Sequence, residues 1–223
     1  MKYKAAIFDL DGTLLDTLDD LWDAVNHTMD VYGFPRRTRD EVRAFVGNGV
    51  ERLIELAMPQ AEACSHPQFA SVVADYRAYY AANSEHKTAP YAGVTALIRR
   101  LLAEGIAVSV VSNKPHGATV TLCAKYFPEI AVVCGEREAE GIRRKPYPDT
   151  VFRAVAELGL DVKDCVYIGD SEVDIKTSEN AGMDCNSVLW GFRDRAQLTE
   201  GSYFCENVAQ LPAIIREIAR SLG

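Results

Sequence analysis

No apolar run in this chain approaches the roughly 20 residues that a membrane-crossing helix needs, so none is expected. The opening Met1-Lys2-Tyr3-Lys4 leads to a short apolar stretch that stops at Asp9. That stretch is too short for a secretory signal and has no small-residue cleavage site, so a cytoplasmic protein is expected. A cationic surplus is also missing: 24 Lys and Arg stand against 32 Asp and Glu, a net charge of -8. Nucleic acid and anionic membrane surfaces both demand clustered cations, and neither is an expected partner. The six cysteines (Cys64, Cys123, Cys134, Cys165, Cys185 and Cys205) never form C-x-x-C. In a chain without an export signal they read as free, mostly buried thiols. The four histidines, His27, His66, His86 and His116, show no metal-ligand spacing and are read as surface residues or parts of the helical block described next.

What is present is an ordinary globular balance, 48% hydrophobic and 25% charged, in a chain long enough for one large domain or two unequal ones. Tyr3–Phe8 reads as a buried strand closed by Asp9-Leu10-Asp11-Gly12. From Asp16 to about Glu85 apolar residues recur at helical spacing, as in Leu18, Leu21, Trp22, Val25 and Met29. The aromatics of this block, Trp22, Tyr76, Tyr79 and Tyr80, read as its core. After Gly93 helices and strands alternate. Strands are expected at Ile106–Val111, Ile130–Val133, Cys165–Ile168, Ser187–Trp190 and Tyr203–Phe204, and a closing helix over Pro212–Arg220. This rhythm predicts an α/β fold, a doubly wound parallel sheet with an inserted all-helical domain. The catalytic core is expected at residues 1–15 and 86–223, with the helical insertion at 16–85.

Open parallel sheets bind ligands at the carboxyl ends of their strands. Asp9 and Asp11 follow the first strand, and Ser112, Asn113 and Lys114 follow the second. Lys145 precedes Pro146 after the third, and Gly169, Asp170, Ser171 and Asp174 follow the fourth. Crowded carboxylates repel unless a cation neutralises them, and hard oxygen ligands beside a lysine suit Mg²⁺ with a phosphoryl group. Each piece has a second reading. Asp11-Gly12 is a common turn dipeptide, Ser171-x-x-Asp174 a capping box, Ser112 and Asn113 a cap for the helix after Pro115, and Lys145 a solvated lysine.

Asp9-Leu10-Asp11-Gly12-Thr13-Leu14 resembles the first motif of the haloacid dehalogenase superfamily of phosphohydrolases. Ser112 is similar to its second motif, Lys145-Pro146-Tyr147-Pro148 to its third, and Gly169-Asp170-Ser171-x-x-Asp174 to its fourth. The helical insertion looks like the type-1 cap of that superfamily. The resemblance implies that Asp9 is the nucleophile, forming an aspartyl phosphate, and that Asp11 is the general acid and base. It implies Mg²⁺ between the Asp9 carboxylate, the Asp11 main-chain carbonyl and Asp170, with Asp174 in support. Ser112, Lys145 and the Asn113 backbone N–H would hold phosphoryl oxygens. The second aspartate, Asp11, argues against a carbon–halogen hydrolase.

Gly47-Asn48-Gly49, followed by Arg52, reads either as a helix end and loop or as a loop lying over substrate, with Arg52 facing an anion. Together with Ser112-Asn113-Lys114-Pro115 it looks like the phosphoglycolate phosphatase branch. Alternatives in the superfamily are a β-phosphoglucomutase, a pyrophosphatase, or a sugar or nucleotide phosphatase. Asn48 and Gly12-Thr13 speak against the mutase. A signalling receiver shares the acidic residues, hydroxyl, lysine and Mg²⁺, but is about half as long, lacks the second acid and carries no cap. The expected partner is a small anionic phosphorylated substrate, and the expected state a monomer or homodimer.

Overall fold

The computed structural model describes residues 3–59, 65–201 and 203–217. The chain divides into two compact units, Met1–Leu15 with Pro90–Gly223, and Asp16–Ala89. Among the described residues no helix is long and apolar enough to cross a membrane.

The first unit is built on six parallel strands. They are β1 (Ala5–Phe8), β4 (Ala107–Pro115), β5 (Val132–Glu136), β6 (Cys165–Gly169), β7 (Asp184–Val188) and β8 (Tyr203–Cys205), ordered β5-β4-β1-β6-β7-β8. Two short strands, β2 (Leu15–Asp16) and β3 (Ala89–Pro90), pair separately. Alternation along β1 explains why all four of its residues are apolar and buried. Ala6 and Phe8 join Val110, Ile168 and Leu97 in one core cluster, while Ala5 and Ile7 join Val111, Tyr167 and Val151 in the other. Helices therefore cover both faces, the condition under which parallel strands read as continuous apolar runs. The helices are α5 (Val94–Ala103), α6 (His116–Tyr126), α7 (Asp149–Glu157), α8 (Glu172–Ala181) and α9 (Leu211–Glu217). The sequence-expected end of the last helix, Arg220, lies outside the described residues, as does Cys64.

β4 runs on past Val111 to Pro115, so Ser112–Lys114 lie in its irregular end rather than after it, and two more strands differ from their sequence reading. β7 starts at Asp184, not Ser187, because its polar first half pairs with Val166–Ile168 of β6. Leu189 and Trp190 lie beyond it, with the Trp190 indole donating to the Thr13 carbonyl at 3.1 Å. β5 runs from Val132 to Glu136 rather than from Ile130. In both cases backbone pairing, not apolar content, sets the limits.

The second unit contains α1 (Leu18–Val31), α2 (Arg39–Phe45), α3 (Val50–Ala57) and α4 (Phe69–Asn83). Val25, Met29, Ile54, Tyr76 and Tyr80 are buried, so Tyr76 and Tyr80 are core, while Trp22 and Tyr79 are half-buried at its margin. Trp22 and Asn26 both donate to the Arg37 carbonyl, fastening the α1–α2 connection. Thr38 and Glu41 form a full capping box on α2. Asp20 is a buried carboxylate that accepts the Lys87 N–H at 3.0 Å and the Thr88 N–H at 2.8 Å, so its charge is met by backbone donors.

Candidate active site

The polar residues that follow β1 and β6, with those in the irregular end of β4, gather at the carboxyl edge of the sheet. Asp9, Asp170 and Asp174 are buried, and one oxygen from each lies within 4.8 Å of the others. Lys145 is buried among them, its Nζ 2.9 Å from Asp9 Oδ1, 2.7 Å from Asp174 Oδ1 and 3.2 Å from the Tyr167 hydroxyl. Burial alone disfavours its ammonium, but the Asp174 and Asp9 carboxylates outweigh that and hold its pKa well above the usual lysine value. Burial pushes Asp9 well above the ordinary carboxylate range, against the pull of Lys145 and with the push of Asp174 and Asp170. Asp170 rises for the same first reason, reinforced by the Asp174 charge.

The local chain explains each placement. Gly12 has φ +84° and carries the backbone past Asp170, whose Oδ1 would lie 2.8 Å from any Cβ there. Both the left-handed conformation and the close approach select glycine. Asp170 is then fixed by the Thr13 hydroxyl on Oδ1 at 3.0 Å and the Phe192 N–H on Oδ2 at 2.7 Å. Asp174 fulfils the capping-box reading, its Oδ2 accepting the Ser171 N–H and hydroxyl, while its Oδ1 accepts from Lys145 and Tyr167. Both of its oxygens are thus engaged by protein donors.

Ser112 and Asn113 do not cap α6, whose first turn receives no side-chain cap. Ser112 is buried and its hydroxyl accepts the Lys114 N–H at 3.3 Å. The Asn113 side chain pairs with the Lys145 backbone in both directions, accepting from its N–H at 2.8 Å and donating to its carbonyl at 3.0 Å. Asp11 faces Lys114, whose Nζ lies 2.8 and 2.9 Å from its two oxygens. Tyr167 and the Phe192 N–H carry no signal in the sequence, and Thr13 appears there only as part of the first motif. Lys114 is a candidate there by its place beside Ser112 and Asn113, and no role is read for it.

In the helical unit Gly47 (φ +126°) and Gly49 (φ +85°) flank Asn48, and Gly49 is the N-cap of α3. Arg52 is half exposed and donates to Glu55 at 2.5 Å. The histidines make ordinary contacts: His27 stacks on Tyr79, and His116 accepts the Gly135 N–H. The five described cysteines are free. Burial pushes Cys134, Cys165 and Cys205 up to about 11 and Cys123 and Cys185 up to about 12, leaving them protonated near neutrality.

Residues 6–188 match the family model described as haloacid dehalogenase-like hydrolase. A phosphoglycolate phosphatase of Xanthomonas campestris is 30% identical over 197 residues, covering 85% of each chain. One of Cereibacter sphaeroides is 35% identical over 191 residues, covering 84% of this chain and 85% of the relative. A solved chain from Lactobacillus delbrueckii subsp. bulgaricus, provisionally named phosphoglycolate phosphatase, superposes with a TM-score of 0.89 at 35% identity. It covers 96% of this chain and 99% of its own.

Proposed function

The chain belongs to the haloacid dehalogenase-like hydrolases and is a phosphatase, and on that premise we propose that it hydrolyses a small phosphate monoester, 2-phosphoglycolate first, through an aspartyl phosphate on Asp9 with Mg²⁺ at the carboxylate cluster. The observation that carries this reading is the crowding of three buried carboxylates within 4.8 Å of one another beside Lys145. Three such groups exceed the charge of one ammonium, and an all-oxygen donor set fits a hard divalent cation. Asp9 and Asp170 would hold it, and Asp174, already engaged by Lys145 and Ser171, would support it from behind. Such an ion supplies charge neutralisation for the phosphoryl oxygens when bound.

The remaining chemistry belongs to the chain. An Asp9 oxygen attacks phosphorus as the bond to the leaving oxygen breaks, and Asp11 gives that oxygen a proton. Asp11 then takes a proton from the water whose oxygen attacks the aspartyl phosphate, and Asp9 is released. Lys145 steers Asp9 and offsets charge on the transferred group, with Ser112 and the Asn113 N–H as further donors. The names of the two curated relatives support 2-phosphoglycolate, and Arg52 is the candidate partner for its carboxylate.

The test is turnover. Hydrolysis of p-nitrophenyl phosphate is expected to vanish with EDTA and return with Mg²⁺; full activity in metal-depleted protein would refute the metal assignment. Initial rates across phosphoglycolate, glucose phosphates, nucleotides and pyrophosphate test the substrate. Far better turnover of any of the others would replace phosphoglycolate and leave the phosphatase standing.

A further inference from the structure

Lys114 is a buried cation that the proposed reaction has not used. Its side chain is 3% exposed, against 13% for that of Asp11, and its Nζ touches both Asp11 oxygens. The position is anchored from several directions. The pairing of β4 with β5 shifts register between Val111 and Pro115, which takes Ser112–Lys114 out of the regular ladder. The Lys114 N–H donates to Ser112 Oγ, and the Lys114 carbonyl accepts from the Thr119 hydroxyl at 3.2 Å. Gly135 on β5 leaves room for that carbonyl, which would lie 2.8 Å from a Cβ at that position.

We propose that Lys114 is the positioning residue for Asp11: it fixes the plane of the carboxyl group and so which of its oxygens meets the departing oxygen. The inference rests on Asp11 being the acid and base, as proposed above. A carboxyl group free to rotate presents its proton to the leaving oxygen only part of the time. An ammonium at 2.8 and 2.9 Å from both oxygens removes that freedom. Water competes little at a side chain this buried, so the attraction is weakly screened. The proton goes from Asp11 to the leaving oxygen as the phosphorus–oxygen bond breaks, with the Asp11 carboxyl group held in its plane by Lys114. Lys114 itself loses no proton and touches no substrate atom in this scheme.

This role is tied to the leaving group. An oxygen that departs poorly needs the proton, and one that departs well does not. In Mg²⁺-loaded enzyme, kcat is compared for phenyl phosphate and p-nitrophenyl phosphate in wild type, Asp11→Asn, Lys114→Met, Lys114→Arg and the Asp11→Asn/Lys114→Met double variant. A charge-assisted hydrogen bond of this kind is worth roughly tenfold to a hundredfold. Lys114→Met is expected to lose about that factor more on phenyl phosphate than on p-nitrophenyl phosphate, and Lys114→Arg to recover most of it. In the double variant the second substitution should add almost nothing, because the group it positions is gone. Should Lys114→Met fold poorly by circular dichroism, Lys114→Gln, neutral but still a donor, carries the same comparison. Equal losses on both substrates, or additive losses in the double variant, would overturn the role of Lys114 while Asp11 keeps its own. A flat response of Asp11→Asn itself would remove the premise and overturn both.

Discussion

The carboxyl edge of the sheet and the surface of the helical unit handle charge in opposite ways. At the sheet edge the ion pairs are buried: Lys145 with Asp9 and Asp174, and Lys114 with Asp11, have side chains between 0% and 13% exposed. In the helical unit they lie on the surface, as in Arg36 with Asp30, Arg77 with Glu51, and Arg52 with Glu55, all between 31% and 69% exposed. Desolvating two charges costs several kcal/mol per ion, and good geometry only returns it. Exposed pairs cost little and contribute little. A chain that buries so many ions in one place is spending stability on chemistry there, and the helical unit is not doing so on its surface.

That contrast can be broken at both ends. The largest effect is expected from Asp9→Asn, which removes the nucleophile and should abolish turnover of every substrate, measured as kcat to the detection limit. It also replaces one of three crowded carboxylates by a neutral amide, so the folded protein should not lose stability in proportion. Residual turnover of an activated ester above background would sink the nucleophile role.

Asp20 tests the contrast from within the helical unit, as its buried exception. Asp20→Ala strands the Lys87 and Thr88 N–H groups, at a cost of about 1–3 kcal/mol. Arg77→Ala, at an exposed pair, should cost at most about 1 kcal/mol. Urea unfolding of the two variants decides it, and equal midpoints would show that burial is not what separates them.

A change confined to one substrate is expected from Arg52→Ala. If Arg52 binds a substrate carboxylate, kcat/KM for phosphoglycolate should fall about tenfold to a hundredfold, and p-nitrophenyl phosphate should be nearly unaffected. Its partner Glu55 must give way first, which places the effect toward the lower end. Equal loss on both substrates would assign Arg52 to folding instead.

The residues legible in the sequence are those whose position follows from topology. Asp9 and Asp170 stand at the ends of apolar strands, and in a parallel sheet the strand ends share one edge, so their meeting needs no distance information. Gly12 was readable because a turn there demands it. The neighbours that finish the site come from tertiary packing. Thr13 and the Phe192 N–H reach Asp170 from loops far apart in the chain, and no local pattern pairs them. Tyr167 reads only as an apolar strand residue, yet its hydroxyl bonds Asp174. β7 was misplaced by three residues because Asp184, Cys185 and Asn186 lack the apolar signature, although the backbone ladder runs through them.

The two-way pairing of the Asn113 side chain with the Lys145 backbone bears on how this protein can vary. Lys145 hangs on a loop, but its anchor is a residue at the end of β4, and the Asn180 side chain grips the next carbonyl, that of Pro146, at 2.8 Å. The loop is thus pinned at its far end, at the lysine itself. The exposed stretch Ala139–Gly141 is free of that duty, whereas Glu138 pairs with Arg144 beside the lysine. Insertions, deletions or a grafted peptide there are tolerated in proportion to how little they pull on Asn113, which makes this turn the natural attachment point for a label or a tether on a working enzyme.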